Sequence, residues 1–322
     1  MTLQDAFGRR FTYLRLSITD VCNFRCNYCL PDGYQCNDDS SPLDLDEIAR
    51  IAHIFARLGT RKIRITGGEP SVRRDLVEII RILKQTPGIE QVAITTNGWK
   101  LPQFLPQWLE AGLDSLNVSI DSLDPRQFQA ITGHDRLSDL LTGIEQAQQA
   151  GFERIKVNAV LMREHNSDQL PVFLDWLRQT PVTLRFIELM QTGSNQAFFD
   201  ANHLSGADIR DQLLAQGWQA QTRTVTDGPA SEYWHPEYQG KIGLIMPYSP
   251  DFCASCNRLR VSAQGKLHLC LFGDEGYDLR PHLNSTAASE AFIQDCLKEK
   301  KISHFLHDGH TGQNQGFAGI GG

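Results

Sequence analysis

The sequence predicts an α/β protein, a partial (β/α)6 TIM-like barrel followed by a C-terminal region of different rhythm. Two observations carry that expectation. Up to residue 188, short apolar runs bounded by loops alternate with longer stretches of helical periodicity. After about Met190 the alternation stops, and Pro/Gly-punctuated, hairpin-like sequence follows through Pro250.

The elements follow in order. Residues 11–18 read as a strand. Residues 44–58 read as a helix, with Ile48, Ile51, Ala52, Phe55 and Leu58 on one stripe. Asp44 and Glu47 fit a capping box there, and Gly59 fits the C-terminal stop. Strands are expected at 62–66, 91–96, 115–120, 154–161 and 183–188. Helices are expected at 75–85, within 105–112, and at 138–150 and 168–179. Strands alternating with helices imply a parallel sheet, and six repeats over roughly 180 residues favour a curved one. A full eight-stranded barrel typically needs about 250 residues, so a partial barrel is preferred. In the C-terminal region, helices are expected at 207–217 and 288–300, and 310–322 reads as a flexible Gly-rich end.

Composition bounds the function. A hydrophobic content of 41% over 322 residues supports a sizeable core. No apolar run approaches the ~20 residues of a membrane-spanning helix, and the first residues show no secretory pattern, so the cytoplasm is the expected compartment. A net charge of −7 argues against broad binding to nucleic acid or membrane, and a polyanion would need a local basic cluster.

The cysteines cluster as metal ligands would. Cys22, Cys26 and Cys29 form C-x3-C-x2-C just after a strand. Three thiolates can hold three irons of a cubane and leave the fourth open to a small molecule. The alternative, structural zinc, usually takes four ligands in paired spacing, and no fourth is evident. Cys253, Cys256 and Cys270 form C-x2-C-x13-C, either a second cluster with an open iron or a zinc ribbon with His268 as a further ligand. Cys36 and Cys296 stand outside both groups and read as structural. Gly67-Gly68-Glu69-Pro70 follows a strand, and its glycines permit close approach of a ligand or simply a tight turn. Arg258 and Arg260 alternate on an extended segment and so share a face suited to a phosphate or a base edge. Arg15, Arg64, Lys156 and Arg185 sit in predicted strands. Buried cations are expensive unless matched, so they imply either an internal anion site or pairing with Glu69, Asp121 or Glu188.

Cys22-Asn23-Phe24-Arg25-Cys26-Asn27-Tyr28-Cys29, the Gly67–Pro70 turn and the partial barrel resemble the radical S-adenosylmethionine superfamily. Further segments resemble its branch that cyclises GTP for molybdenum cofactor biosynthesis: Leu14–Asp20, 62–66, Asn117–Asp121, Arg185–Glu188, the second cysteine trio with Arg258 and Arg260, and the terminal Gly321-Gly322. The resemblance implies a catalytic core over 5–190, and over 191–322 a region that binds an auxiliary cluster and GTP and carries the diglycine tail. It implies two 4Fe–4S clusters, one on Cys22, Cys26 and Cys29 with S-adenosylmethionine at its free iron, the other on Cys253, Cys256 and Cys270 facing the guanine. Tyr28, Gly68, Ser119 and Met190 would contact S-adenosylmethionine. Arg15, Arg64, Thr95, Lys156, Arg258 and Arg260 would contact GTP, with the choice between Thr95 and Thr96 open. Arg15 would also quench the radical left after ring closure, and Gly321-Gly322 would enter the active site. A flavodoxin- or ferredoxin-type reductase would supply electrons, and cyclic pyranopterin monophosphate synthase would take the product. A homodimer is left open. The alternative within the superfamily is a peptide-modifying enzyme with an auxiliary cluster.

Overall fold

In the computed structural model, residues 2–35, 41–222, 228–273, 276–311 and 318–321 are described. The first strand, β1 (Tyr13–Ser17), leads through the cysteine loop to helix α1 (Leu45–Arg57). The capping box is formed: Glu47 N–H donates to the Asp44 carboxylate at 2.8 Å, and Asp44 N–H donates to Glu47 at 3.0 Å. Gly59 follows the helix at φ +96°, a left-handed position that suits glycine. Then come β2 (Lys62–Thr66), α2 (Leu76–Gln85), β3 (Gln91–Thr96), α3 (Leu101–Glu110) and β4 (Ser115–Ser119). Helix α3 starts four residues earlier than the sequence indicates. Pro102 lies in its first turn, where the missing N–H costs nothing.

Helix α4 (Pro125–Thr132) was not foreseen. Its signals are present but short: Asp124 accepts from the N–H groups of Arg126 and Gln127, Pro125 opens the helix, and Gly133 closes it at φ +79°. Next are α5 (Leu137–Gln149), β5 (Ile155–Leu161), α6 (Arg163–Asn166), α7 (Leu170–Leu177), β6 (Thr183–Glu188), α8 (Gln196–Asn202) and α9 (Gly206–Ala215). The remainder holds β7 (Gln219–Ala220), β8 (Ser231–Trp234), β9 (Lys241–Ile245), β10 (Arg258–Val261), β11 (Lys266–His268), β12 (Tyr277–Asp278) and α10 (Thr286–Lys298).

Among the described residues the twelve strands share one sheet, in the order β12-β11-β10-β1-β2-β3-β4-β5-β6-β9-β8-β7. Strands β1 to β6 are parallel, as the repeats require. The C-terminal region extends this parallel wall at both edges: β10 lies parallel to β1, and β9 parallel to β6. Beyond them β11, β12, β8 and β7 pair antiparallel.

The period of two along each strand divides the molecule. Leu14, Leu16, Ile63, Ile65, Val92, Ile94, Leu116, Val118, Val157 and Leu184 are fully buried in the core. The alternate residues, Tyr13, Arg15, Lys62, Arg64, Thr95, Asn117, Lys156, Asn158 and Arg185, share the opposite face of the sheet. The polar lumen that results explains why strands with apolar neighbours carry arginine.

Candidate active site

A cavity of about 540 Å³ is lined by all six clustered cysteines, Cys22, Cys26, Cys29, Cys253, Cys256 and Cys270. Strand register places the trios at opposite ends of it. Cys22 follows the C-terminal end of β1, whereas Cys256 lies two residues before β10, whose first residue pairs with Tyr13 at the start of β1. Strand β11 runs back along β10, with His268 opposite Arg260, so Cys270 returns toward the start of β10. The length of a five-residue strand, roughly 16 Å, therefore separates the two ends.

At the first end, the two glycines answer a backbone demand. A Cβ on Gly68 would lie 2.4 Å from the Val21 carbonyl oxygen, and one on Gly67 would lie 2.1 Å from that of Thr19. Gly68 N–H donates to Thr19 and Glu69 N–H to Val21, so this turn clamps the chain leading into Cys22. Glu69 is fully buried and accepts from Ser71 N–H, the Thr96 hydroxyl and Asn97 N–H at 2.6 to 2.8 Å. Tyr28 donates to Asp121 at 3.1 Å, and Val160 N–H donates to the same carboxyl, whose burial pushes it up to about 6. Burial pushes the Cys26 thiol up, and the nearby Asp121, Cys29 and Cys22 push it further. Such a trio becomes fully ionised only against bound positive charge.

At the second end, burial alone would raise the Cys256 thiol, but Arg258 and Lys300 outweigh it and bring the group down to about 7. His268 lines a second cavity, of about 650 Å³, with the three cysteines of this end. Among the described residues, no three or more His, Cys, Asp or Glu side chains gather so as to hold a single metal ion. A cubane takes one thiolate per iron, so its ligands stand apart, and an all-thiolate donor set on a cavity wall suits iron–sulfur chemistry. Cys296 is buried on α10 as a core residue, while Cys36 lies outside the described residues.

Between the ends the wall is cationic. Arg15, Arg64, Arg185, Arg258 and Arg260 all line the cavity. Their expected alternative partners hydrogen-bond to other groups. Glu69 and Asp121 bind as above, and Glu188 accepts from Gly206 N–H at 2.6 Å through Oε1, while its Oε2 is buried without a partner. Arg185 donates to Asn117 at 2.6 Å, but its Nε, the Nε of Arg64, the Thr95 hydroxyl and the Asn158 carbonyl oxygen are buried without a partner. Buried polar atoms are rarely left so, which marks this wall as a surface for a polar ligand. Burial, then Arg64, brings Arg185 down to about 9. Lys156 stands apart: it pairs with Glu232 at 3.0 Å and does not line the cavity.

The chain's C-terminal end reaches the same lumen. Arg260 Nη1 donates to the Ile320 carbonyl at 3.1 Å and to that of Gly321. Gly321, at φ +69°, lies against Thr66 and Ser17. Gly322 lies outside the described residues.

The family model for the Radical SAM superfamily matches residues 16–177, and that for Molybdenum Cofactor Synthesis C matches 182–306. The chain is 57% identical to a GTP 3′,8-cyclase of Yersinia pestis, over 99% of both proteins. It is also 57% identical to that of Cronobacter sakazakii over 99% of both, and 56% identical to that of Tolumonas auensis over 100% of this chain and 97% of the relative. The chain belongs to the GTP 3′,8-cyclase family. Its fold is shared more widely. Streptococcus suis SuiB, solved with S-adenosylmethionine, superposes with a TM-score of 0.60 at 13% identity, over 81% of this chain and 60% of SuiB. A radical SAM methyltransferase from Sphaerobacter thermophilus gives 0.52 at 16%, over 66% of this chain and 68% of that one.

The residues expected from this family fall as follows. Tyr28, Gly68, Ser119 and Met190 line the cavity, as do Arg15, Arg64, Thr95, Arg258 and Arg260. Both threonines line it too, but the Thr96 hydroxyl is committed to Glu69. Sequence reading missed Tyr13 and Lys62. Tyr13 lines the cavity, and its ring carries Lys62 at 5.1 Å and Arg64 at 5.5 Å. Burial pushes its phenol up, but Arg64, Arg15, Lys62 and Arg185 outweigh that and bring it down to about 8. Counting back two positions from Arg15 and from Arg64 would have found both residues.

Proposed function

We propose that this enzyme converts GTP to (8S)-3′,8-cyclo-7,8-dihydroguanosine 5′-triphosphate in molybdenum cofactor biosynthesis, with the two cysteine trios as separate 4Fe–4S sites. The observation that carries this reading is one lumen with a cysteine trio at each end and a cationic wall between them. When bound, the first cluster with S-adenosylmethionine supplies a 5′-deoxyadenosyl radical, which takes hydrogen from C3′ of GTP.

The chain's own part is position and exclusion. Cys22, Cys26 and Cys29 hold the first cluster, and Tyr28, Gly68, Ser119 and Met190 seat S-adenosylmethionine beside it. Cys253, Cys256 and Cys270 hold the second cluster and so fix the base. Arg15, Arg64, Arg258 and Arg260 bind the triphosphate, an assignment supported by their gathering on one wall of the cavity and by the buried, unpartnered Nε of Arg64. The uncommitted Thr95 hydroxyl supports Thr95 over Thr96 as a GTP contact. Lys156 joins the GTP contacts if it exchanges Glu232 for phosphate. The Gly321-Gly322 tail acts in the active site, a role supported by the hydrogen bond from Arg260 to the Gly321 carbonyl, and Arg15 quenches the radical after ring closure. A flavodoxin- or ferredoxin-type reductase supplies the electron, and cyclic pyranopterin monophosphate synthase receives the product. The catalytic core spans 5–190 and the auxiliary-cluster region 191–322. A radical confined beside one substrate C–H needs such two-ended anchoring, since selectivity comes from which bond is held closest.

The test is anaerobic reconstitution with iron and sulfide, then reduction with S-adenosylmethionine and GTP. A product isomeric with GTP, formed with 5′-deoxyadenosine, is expected. 5′-Deoxyadenosine alone, or a modified peptide from a peptide panel, would overturn the proposal.

A further inference from the structure

Lys300 is a buried cation that no carboxylate matches. It lies just past the end of α10, and among the described residues its ammonium forms no ion pair. Its Nζ donates to the carbonyl of Leu269, the residue before Cys270, and stands 5.1 Å from the centroid of the Phe11 ring. The chain beyond it is pinned. Arg9 donates to the carbonyls of Lys301 at 2.7 Å and Ile302 at 2.8 Å, and to that of Cys253 at 3.1 Å. One carbonyl and one ring offset only part of the cost of taking an ammonium out of water. A buried charge held in place in this way calls for an opposite charge nearby.

The second cysteine trio is the group that can supply it. Lys300 lines the second cavity together with Cys253, Cys256 and Cys270, and does not line the main lumen. Arg258 does the reverse: it lines the lumen and not the second cavity. These are the two cations whose charge acts on the Cys256 sulfur. Arg258 faces the space where a polyanion can claim its charge. Lys300 faces the other cavity, so its charge stays with the trio whatever fills the lumen.

We infer that Lys300 is the resident counter-charge of the second cysteine trio, a positioning residue that sets the reduction potential of the cluster held there. The inference rests on that trio holding an iron–sulfur cluster. A cubane on three thiolates carries net negative charge, and taking up an electron deepens it. A fixed ammonium beside it stabilises the reduced form more than the oxidised form, and so raises the potential.

Redox titration of the anaerobically reconstituted protein, followed by electron paramagnetic resonance, tests it. The first cluster is identified by its response to S-adenosylmethionine and serves as the internal control. Lys300→Met keeps the stem on Phe11 and removes the charge; Lys300→Gln also keeps a donor for the Leu269 carbonyl; Lys300→Arg keeps the charge. Lys300→Met and Lys300→Gln are expected to move the second cluster alone to more negative potential, on the order of tenfold in its reduced-to-oxidised ratio at a fixed solution potential, with Lys300→Arg close to native. Loss of iron from the second trio in the two neutral variants, but not in Lys300→Arg, would equally assign the role to charge. An unchanged potential in both neutral variants overturns the inference. So does a native potential in Lys300→Gln alone, which would give the role to the Leu269 hydrogen bond, or iron loss in all three variants, which would make Lys300 a packing residue. Native protein that takes up about four irons instead of about eight sinks the two-cluster reading itself, and this inference with it.

Discussion

Replacing Gly321 with alanine should dislodge the chain's end from the lumen while leaving the fold intact. The new Cβ would lie 2.2 Å from Thr66 Cγ2 and 3.2 Å from the Ser17 hydroxyl, both on the walls of strands. Thr66 and Ser17 are buried, so neither side chain can swing away. The residue also sits at φ +69°, where a side chain costs roughly 1–2 kcal/mol. The two hydrogen bonds from Arg260 to the Ile320 and Gly321 carbonyls hold the docked state in either protein and oppose the release. The strain of about 1–2 kcal/mol, before the clash with Thr66 is counted, cuts the docked population roughly five- to thirtyfold. The loss is local, because Ile320 packs with Leu271, Phe272 and Leu306 in a small cluster apart from the main core. Three measurements on reconstituted protein separate the outcomes: cyclised product, 5′-deoxyadenosine release and thermal midpoint. Product should fall by about fivefold or more while the other two change little. Wild-type product formation by Gly321→Ala would refute the view that the tail completes the site.

Three other perturbations test separate parts of the structure. Gly68→Ala places a Cβ 2.4 Å from the Val21 and 2.5 Å from the Asp20 carbonyl oxygens, which are backbone and cannot yield, so S-adenosylmethionine binding should be lost in equilibrium dialysis; native affinity would show that the clamp is dispensable. Arg9 is buried, pairs with Asp5 at 2.6 Å and donates to the carbonyls of Cys253, Ile302 and Lys301, so Arg9→Met should cost about 3–5 kcal/mol in urea unfolding and lower the iron content of the second trio. Tyr13, lowered from the ordinary 10.0 to about 8, contributes stability that is fully present above pH 10 and lost as pH falls through 8. Its ionisation also adds negative charge to an anion site, so GTP affinity should weaken from pH 7 to 9, and Tyr13→Phe should flatten both dependences.

The front half of the fold was legible because each β/α repeat buries its own stripe: α1 showed its cap, its stripe and its stop within residues 44–59. The back half was not, because β9 and β10 join the parallel wall from a region with no such repeat. A strand of four residues such as Arg258–Val261 carries too little periodicity to announce its neighbour, and Arg258 and Arg260 hinted at a shared face without indicating β1 as the partner. The two cysteine trios were visible as spacings, but their position at opposite ends of one lumen follows only from the Tyr13–Arg258 register. Gly67 and Gly68 were read as room for a ligand or as a tight turn. The structure adds that they also make room for the chain before Cys22, a contact between segments far apart in sequence.

The charged wall leads to a last prediction, on stability rather than turnover. Burial and mutual repulsion lower Lys62 to about 8 and Arg185 to about 9, and the Nε atoms of Arg64 and Arg185 are buried without partners. The ligand-free lumen therefore carries like charges at close quarters, at a cost to folding. A polyanion that enters it repays part of that cost, and binding to the native state alone raises stability by about 2.7 kcal/mol at a hundred times its dissociation constant. Inorganic triphosphate should thus raise the thermal midpoint without any purine present, and less so as salt is added, because the attraction is electrostatic. Arg64→Met should lower the gain from triphosphate while raising the midpoint of the ligand-free protein, since one repelling charge is gone. A variant that loses stability in both states would mean that Arg64 holds the barrel together through contacts other than charge, and the wall would no longer count as an anion site built at the expense of the fold.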